Sequence, residues 1–247
     1  MANFSTHVSG AAAASGLLST MFLKAGLVGI GDAFVLAFAG TTGGILPDID
    51  LKYSHPSKIV FTTLGILIAM LWVFATNANL SMMELWVFGL LLFLLIRYPI
   101  WALFHRFTVH RGSLHSIAAA VMFGTVAVAL ASRMFGRADQ VAWLIGVFVF
   151  MGTVFHLILD EIYSVDFVGR RIKRSFGSAL KPVDFERLLP SSLIIFVALL
   201  GWIYAPPSQG LWQQLMSAEF YEQLSSNLFP DAMPEYLQVI TDTLSGK

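Results

Sequence analysis

The 247-residue chain contains no cysteine. That excludes disulfides and thiolate ligands, so any metal must be held by His, Asp, Glu or water. Charge is scarce as well. Lys and Arg number 15, Asp and Glu 15, together 12% of the chain. A soluble domain typically carries about twice that fraction. Too little polar surface is present to cover a water-facing globule. Net charge is zero, so no overall field draws nucleic acid, and no nucleic-acid partner is expected. Apolar residues, by contrast, make up 57%, and mean hydropathy is +0.74. Lipid is therefore the solvent for much of the chain.

A membrane span needs roughly 20 apolar residues to cross about 30 Å of hydrocarbon. Segments 59–76, 85–104, 140–159 and 188–205 meet that need. Segment 117–132 is shorter but free of charge. Segments 8–26 and 32–47 form a weaker pair, rich in the small residues that favour close helix packing. Residues 1–9 lack the basic stretch of a cleaved signal, so an uncleaved first helix is expected. Gly26, Gly29 and Gly31 mark a turn, with Asp32 as a candidate cap for the second helix. The fold class is all-α: a polytopic integral membrane bundle of about five to seven membrane helices, with a short helical C-terminal extension. Residues 1–205 form the membrane domain and 206–247 an acidic amphipathic tail.

Basic residues give the orientation. Segments 48–58, 105–116 and 160–187 carry Lys52, Lys58, Arg106, Arg111, Arg170, Arg171, Lys173, Arg174, Lys181 and Arg187. The opposite connections hold only Lys24, Arg133 and Arg137. The first set is expected to face the cytoplasm, with the tail across the membrane. In the tail, Leu211 and Leu215, then Trp212, Met216, Phe220, Leu224 and Leu228, recur at spacing four. Pro234 suits the first turn of a second helix ending near Gly246. A helical cap is the plainer reading, and a partner or homo-oligomer contact the alternative.

All six histidines fall in short polar stretches at the expected cytoplasmic ends of helices. His7 lies near the start. Pro47-Asp48-Ile49-Asp50 is followed by His55, and then come His105 to His115 and His156 to Asp160. His156 and Asp160, at i and i+4, point the same way and can bind one ion or bridge two. The stretch His110-Arg111-Gly112-Ser113-Leu114-His115 reads as a break between helices, with Gly112 ending one and Ser113 capping the next. Asp48 and Asp50 repel each other unless a cation stands between them. The candidate metal ligands are His7, Asp48, Asp50, His55, His110, His115, His156 and Asp160. Imidazoles and carboxylates without thiolates suit a divalent zinc, manganese or iron ion better than calcium. His105 and His55, at membrane edges, are the members most open to a plain structural reading. Glu161 and Asp166 read as loop acids or as partners orienting ligating histidines. Arg97 is costly within a span; it either snorkels to the edge or pairs with an anion.

The stretches Leu46-Pro47-Asp48-Ile49-Asp50, His110 to Ser116 and His156-Leu157-Ile158-Leu159-Asp160, with the early His7, resemble the signature of the YdjM-like family of bacterial inner-membrane proteins. The resemblance covers residues 1 to about 165. It implies a metal-dependent hydrolase in the inner (cytoplasmic) membrane. That family is in turn similar to zinc-dependent phospholipase C and the single-strand-specific zinc nucleases. This second likeness implies that His156 and Asp160 form the helical ligand pair and that Asp48 or Asp50 bridges ions. Those soluble enzymes use an N-terminal Trp as a ligand, where this chain has Met1-Ala2-Asn3, a departure from the pattern.

The function expected is hydrolysis of a phosphoester by metal-activated water at the cytoplasmic surface. Asp48 or Asp50 would bridge ions or act as general base, and Arg111 would steady the anionic transition state. A membrane lipid or lipid-linked phosphate is the expected substrate. The alternative is a non-enzymatic metal-binding scaffold or a metal-ion carrier. A carrier would hold its ligands on broken helices near the bilayer midplane.

Overall fold

The computed structural model describes residues 3–76, 80–108, 112–166, 171–172, 177 and 179–228. The chain is an all-α membrane bundle. Helix α1 (Phe4–Lys24) starts at an Asn3 cap, whose side chain accepts from the Thr6 amide. It turns at Gly26, where φ is +68°, into α2 (Ile30–Gly43). A left-handed φ of that kind favours glycine because it has no Cβ. Asp32 sits inside the first turn of α2 rather than at its cap, which is Gly29. Its carboxylate instead pairs with Arg137 at 3.3 Å. Helix α2 ends four residues before the expected boundary. Pro47 then heads a single 3-10 turn, Pro47–Asp50.

Helix α3 (His55–Ala75) opens with Ser54 as cap and Pro56 in its first turn, where a missing N–H costs nothing. Helix α4 (Met82–Leu95) starts with a reciprocal Ser81–Glu84 capping box. It continues through a π segment, Ile96–Ile100, into α5 (Trp101–Phe107). Pro99 lies inside that segment. A π-bulge absorbs the proline without ending the helix. Helices α6 (Ile117–Arg133) and α7 (Asp139–Ile162) follow. A two-residue antiparallel pairing then joins Val165–Asp166 to Arg171–Ile172. Helix α8 (Leu188–Tyr204) bends by 87° into α9 (Gln209–Leu215), and α10 (Ala218–Leu228) closes the described chain.

Among the described residues three helical stretches are long and apolar enough to cross a membrane: α3, Met82–Phe107 and α7. Helix α8, with 17 residues, meets that test only together with α9. Helices α2 and α6 are shorter apolar helices. The outward faces of α3, α4 and α8 carry exposed Leu64, Leu67, Leu90, Leu94, Leu193 and Phe196. Such faces are stable only against hydrocarbon.

The core lies where α7 packs against α1, α2 and α6, and α6 packs against α8. Leu36, Leu144, Phe148 and Val149 form its main cluster. Leu211 of α9 belongs to the same cluster, and Phe220 of α10 packs edge-on against Phe22. The described part of the tail is thus seated on the bundle. The expected spacing-four stripe is divided in two at Met216 and Ser217. The expected second tail helix, from Pro234 to near Gly246, lies outside the described residues.

Candidate metal centre

The contact of α2 with α7 brings the site together. A Cβ built on Gly152 would collide with the Gly40 carbonyl, and one on Gly43 with the Val149 carbonyl. Only glycine allows the two backbones to approach so closely. Thr153 Oγ1 sits at this contact, 3.0 Å from the Gly43 carbonyl and 2.9 Å from the Val149 carbonyl, with its one proton shared between them. One turn further along α7, His156 Nδ1 lies 2.7 Å from the Gly44 carbonyl. A carbonyl only accepts, so Nδ1 carries the proton. In the neutral ring Nε2 is then a bare lone pair. It faces Asp48 Oδ1 at 3.7 Å.

The neighbours are imidazoles and acids. His7, from the first turns of α1, stacks on His156 with ring centroids 3.7 Å apart. Its Nε2 lies 3.3 Å from Asp160 Oδ1. His115 has Nδ1 3.3 Å from Asp50 Oδ2. Its Nε2 is 3.8 Å from both Asp48 Oδ1 and Asp160 Oδ2. Six of the expected ligands therefore converge: His7, Asp48, Asp50, His115, His156 and Asp160. All six are buried, with His115, His156 and Asp160 at 0% exposure. Two three-residue sets bring their ligand atoms within 4.8 Å of one another: His7, His156 and Asp160, and Asp48, His115 and His156.

His55 does not join them. It is exposed at the start of α3, with its ring stacked on Phe4 at 5.7 Å. Its position as the first residue of a helix, beyond the turn that carries the acids, directs it away. His110 and Arg111 lie outside the described residues. Ser113 is not the cap of α6. Ser116 takes that role by accepting from the Ala119 amide, while Ser113 donates to Asp184 at 3.3 Å.

The surroundings fix the acids in place. Ser54 donates to the Asp48 carbonyl at 3.0 Å. His105 places Nδ1 2.8 Å from the Trp101 carbonyl and Nε2 3.1 Å from the Ile49 carbonyl. His105 thus lies against the turn between the two aspartates rather than joining the cluster, and a neutral ring has one N–H to give to either carbonyl. The sequence signal for that role is its place at a membrane edge. Glu161 is buried and accepts from the amides of Gly177 and Ala179 at 2.8 and 2.7 Å. It clamps the loop after α7. The side chain of Asp166 is outside the described residues. Arg97 lays its guanidinium against Tyr98 and Trp101 and makes no ion pair among the described residues.

Burial pushes the Asp48 carboxyl above its ordinary range, while His115 and then His7 pull it back down. Both His7 nitrogens, Asp48 Oδ1 and His156 Nε2 are buried without a hydrogen-bond partner among the described residues. Leaving such atoms unsatisfied costs roughly 1–3 kcal/mol each, more for a charged one. A cation among them removes that cost. The donor set, imidazole nitrogen with carboxylate oxygen, is one that zinc, manganese and iron accept.

A family model described as YdjM inner membrane protein matches residues 1–172. The chain belongs to this family. The match runs from before His7 to beyond Asp160, so all six converging residues lie within the YdjM region, and α8 to α10 lie after it. No curated protein and no solved structure matches the chain.

Proposed function

We propose that this YdjM family member is a membrane-embedded, metal-dependent hydrolase of phosphoester bonds. The observation that carries this reading is the lone pair of His156 Nε2 facing the Asp48 carboxylate inside a buried cluster. Two acceptors held that close repel without a cation between them.

His156 has one nitrogen available, so it can serve one ion. His7, Asp48, His115 and Asp160 would complete that centre, and Asp48 or Asp160 could reach a second. Asp50, on the Nδ1 side of His115, would orient that ring and raise its basicity, as carboxylates beside ligating histidines do. When bound, a divalent ion of this kind acidifies water and holds a phosphoryl oxygen. Zinc is the first candidate, with manganese or iron as alternatives. Asp48, the least buried of the three acids, would take the proton of the attacking water. Arg111 would pair with the developing negative charge.

The excess of Lys and Arg on the connections at this end supports a site on the cytoplasmic side. The clustering at one end of the bundle favours hydrolysis over ion transport, which calls for ligands near the midplane. The test is hydrolysis of a panel of phosphomonoesters and phosphodiesters by detergent-purified protein. Turnover that is abolished by chelator and restored by zinc or manganese is expected. Bound metal with every substrate refused would instead favour a metal-stabilised scaffold.

A further inference from the structure

A second feature adjoins this end of the bundle. A groove of about 520 Å³ runs between α5 and α8, within the range of small-molecule sites, about 300–1,000 Å³. Leu103 and Phe107 of α5 and Leu189 and Leu193 of α8 line its sides, and all four are exposed. The groove is thus open sideways toward lipid. Leu114 and Ile194, both buried, line its inner wall.

The lining is apolar except for Thr108, Ser113 and Arg187. Thr108 directly follows α5 and Arg187 directly precedes α8, so both lie at one end of the groove. Arg187 makes no ion pair among the described residues. Nearby Asp184 is already engaged by Lys181 at 3.3 Å and by Ser113. An apolar slot with one available guanidinium at its end matches an acyl chain attached to a phosphate. Water-soluble ligands have no use for the lateral opening.

The groove and the metal centre share walls. Leu114 lines the groove, and the next residue, His115, is in the cluster. Leu114 and Ile194 also pack in one core cluster with Ile49, which separates Asp48 from Asp50. Ser191, on α8, donates to the Asp184 carbonyl at 2.8 Å, and its Oγ lies 3.3 Å from Ser113 Oγ. Helix α8 is therefore tied to the turn that carries His115.

We infer that the groove seats the acyl chain of a phosphate-bearing membrane lipid, with its phosphate held by Arg187 beside the turn that carries His115. Resting on the hydrolase reading, that lipid is the substrate class.

The test uses full-length protein in phosphatidylethanolamine–phosphatidylglycerol vesicles. These contain phosphatidylglycerol with a photoreactive group in one acyl chain, and cross-linked positions are read by mass spectrometry. Labelling of the inner-wall residues Leu114 and Ile194 is expected. Leu193→Trp, which fills the groove, should reduce it about tenfold, as should Arg187→Gln, which removes the charge. A photoreactive diacylglycerol, lacking phosphate, should label the inner wall weakly and be indifferent to Arg187→Gln. Inner-wall labelling at the level of background overturns the inference. So does labelling unaffected by Leu193→Trp, or equal labelling by the phosphate-free probe. Metal content, measured on the same samples, reports whether each variant is folded at the neighbouring centre. Asp48→Ala, which is expected to lose metal, should still label. Failure of the groove and failure of the metal reading are therefore seen separately.

Discussion

His156 gives its Nδ1 proton to the carbonyl of Gly44 at 2.7 Å, and this bond selects the face of the imidazole that the cluster meets. The carbonyl is available because α2 ends at Gly43 and leaves its last acceptors without a helical partner. The bond needs the close contact of α2 with α7 at Gly152. Gly152→Val should force the helices apart and rotate His156 out of register. Metal affinity should fall about 10- to 100-fold, the usual cost of losing an orienting partner. Competitive chelator titration of wild type and variant measures it. Unchanged affinity would show that the ring is held by something else.

His55, at the membrane edge, offers a contrast with the buried cluster. His55→Ala should leave metal content as in the wild type, because that side chain stacks on Phe4 in solvent. Asp160→Asn should lose most of the metal, because its carboxylate meets both His7 and His115. Elemental analysis of the two variants in parallel gives the comparison. Equal loss in both would contradict the placement of His55.

Acidity should act through Asp48. Its carboxyl is raised above the ordinary value of 3.8, chiefly by burial. Between that value and the raised one, the folded protein binds more protons than the unfolded chain. Stability of metal-free protein therefore falls as pH rises through that window, by linkage. Metal binding has the opposite dependence, since the ligands must be deprotonated. Thermal unfolding in detergent across pH, with and without zinc, should show the gain from metal growing as pH rises. A gain that shrinks with rising pH would contradict this assignment.

Glu161 has a role separable from metal binding. Its two oxygens accept from the amides of Gly177 and Ala179. Glu161→Gln removes the charge from both bonds and turns one acceptor into a donor. A loss of about 2–4 kcal/mol is expected, seen as a lower melting temperature with metal content retained. Loss of metal with stability unchanged would instead make Glu161 part of the centre.

Much of this is legible in the sequence, for physical reasons. Apolar runs the length of a bilayer mark α3, α7 and the stretch from α4 to α5 whatever their partners are. The pairing of His156 with Asp160 follows from helical spacing alone. The acids of Pro47–Asp50 stood out because carboxylates at a membrane edge are costly without a role. Local patterns failed where a tertiary contact chose between equals. Ser113 and Ser116 are both good caps, and Asp184 drew Ser113 away. His55 and His115 are equally near a membrane edge, and only the helix start at Ser54 turns one of them outward. The contact of His105 with the Ile49 carbonyl joins residues 56 positions apart, a distance no local pattern spans.

The most direct test is metal analysis of full-length protein purified without chelator, combined with X-ray absorption at the edge of the metal found. About one or two ions per chain, bound by nitrogen and oxygen at about 2.0–2.2 Å, are expected, with loss of the signal in Asp48→Ala and in His156→Ala. Protein that stays metal-free after incubation with zinc, manganese and iron, yet remains folded, would contradict a metal centre at these residues. So would full metal content in both variants.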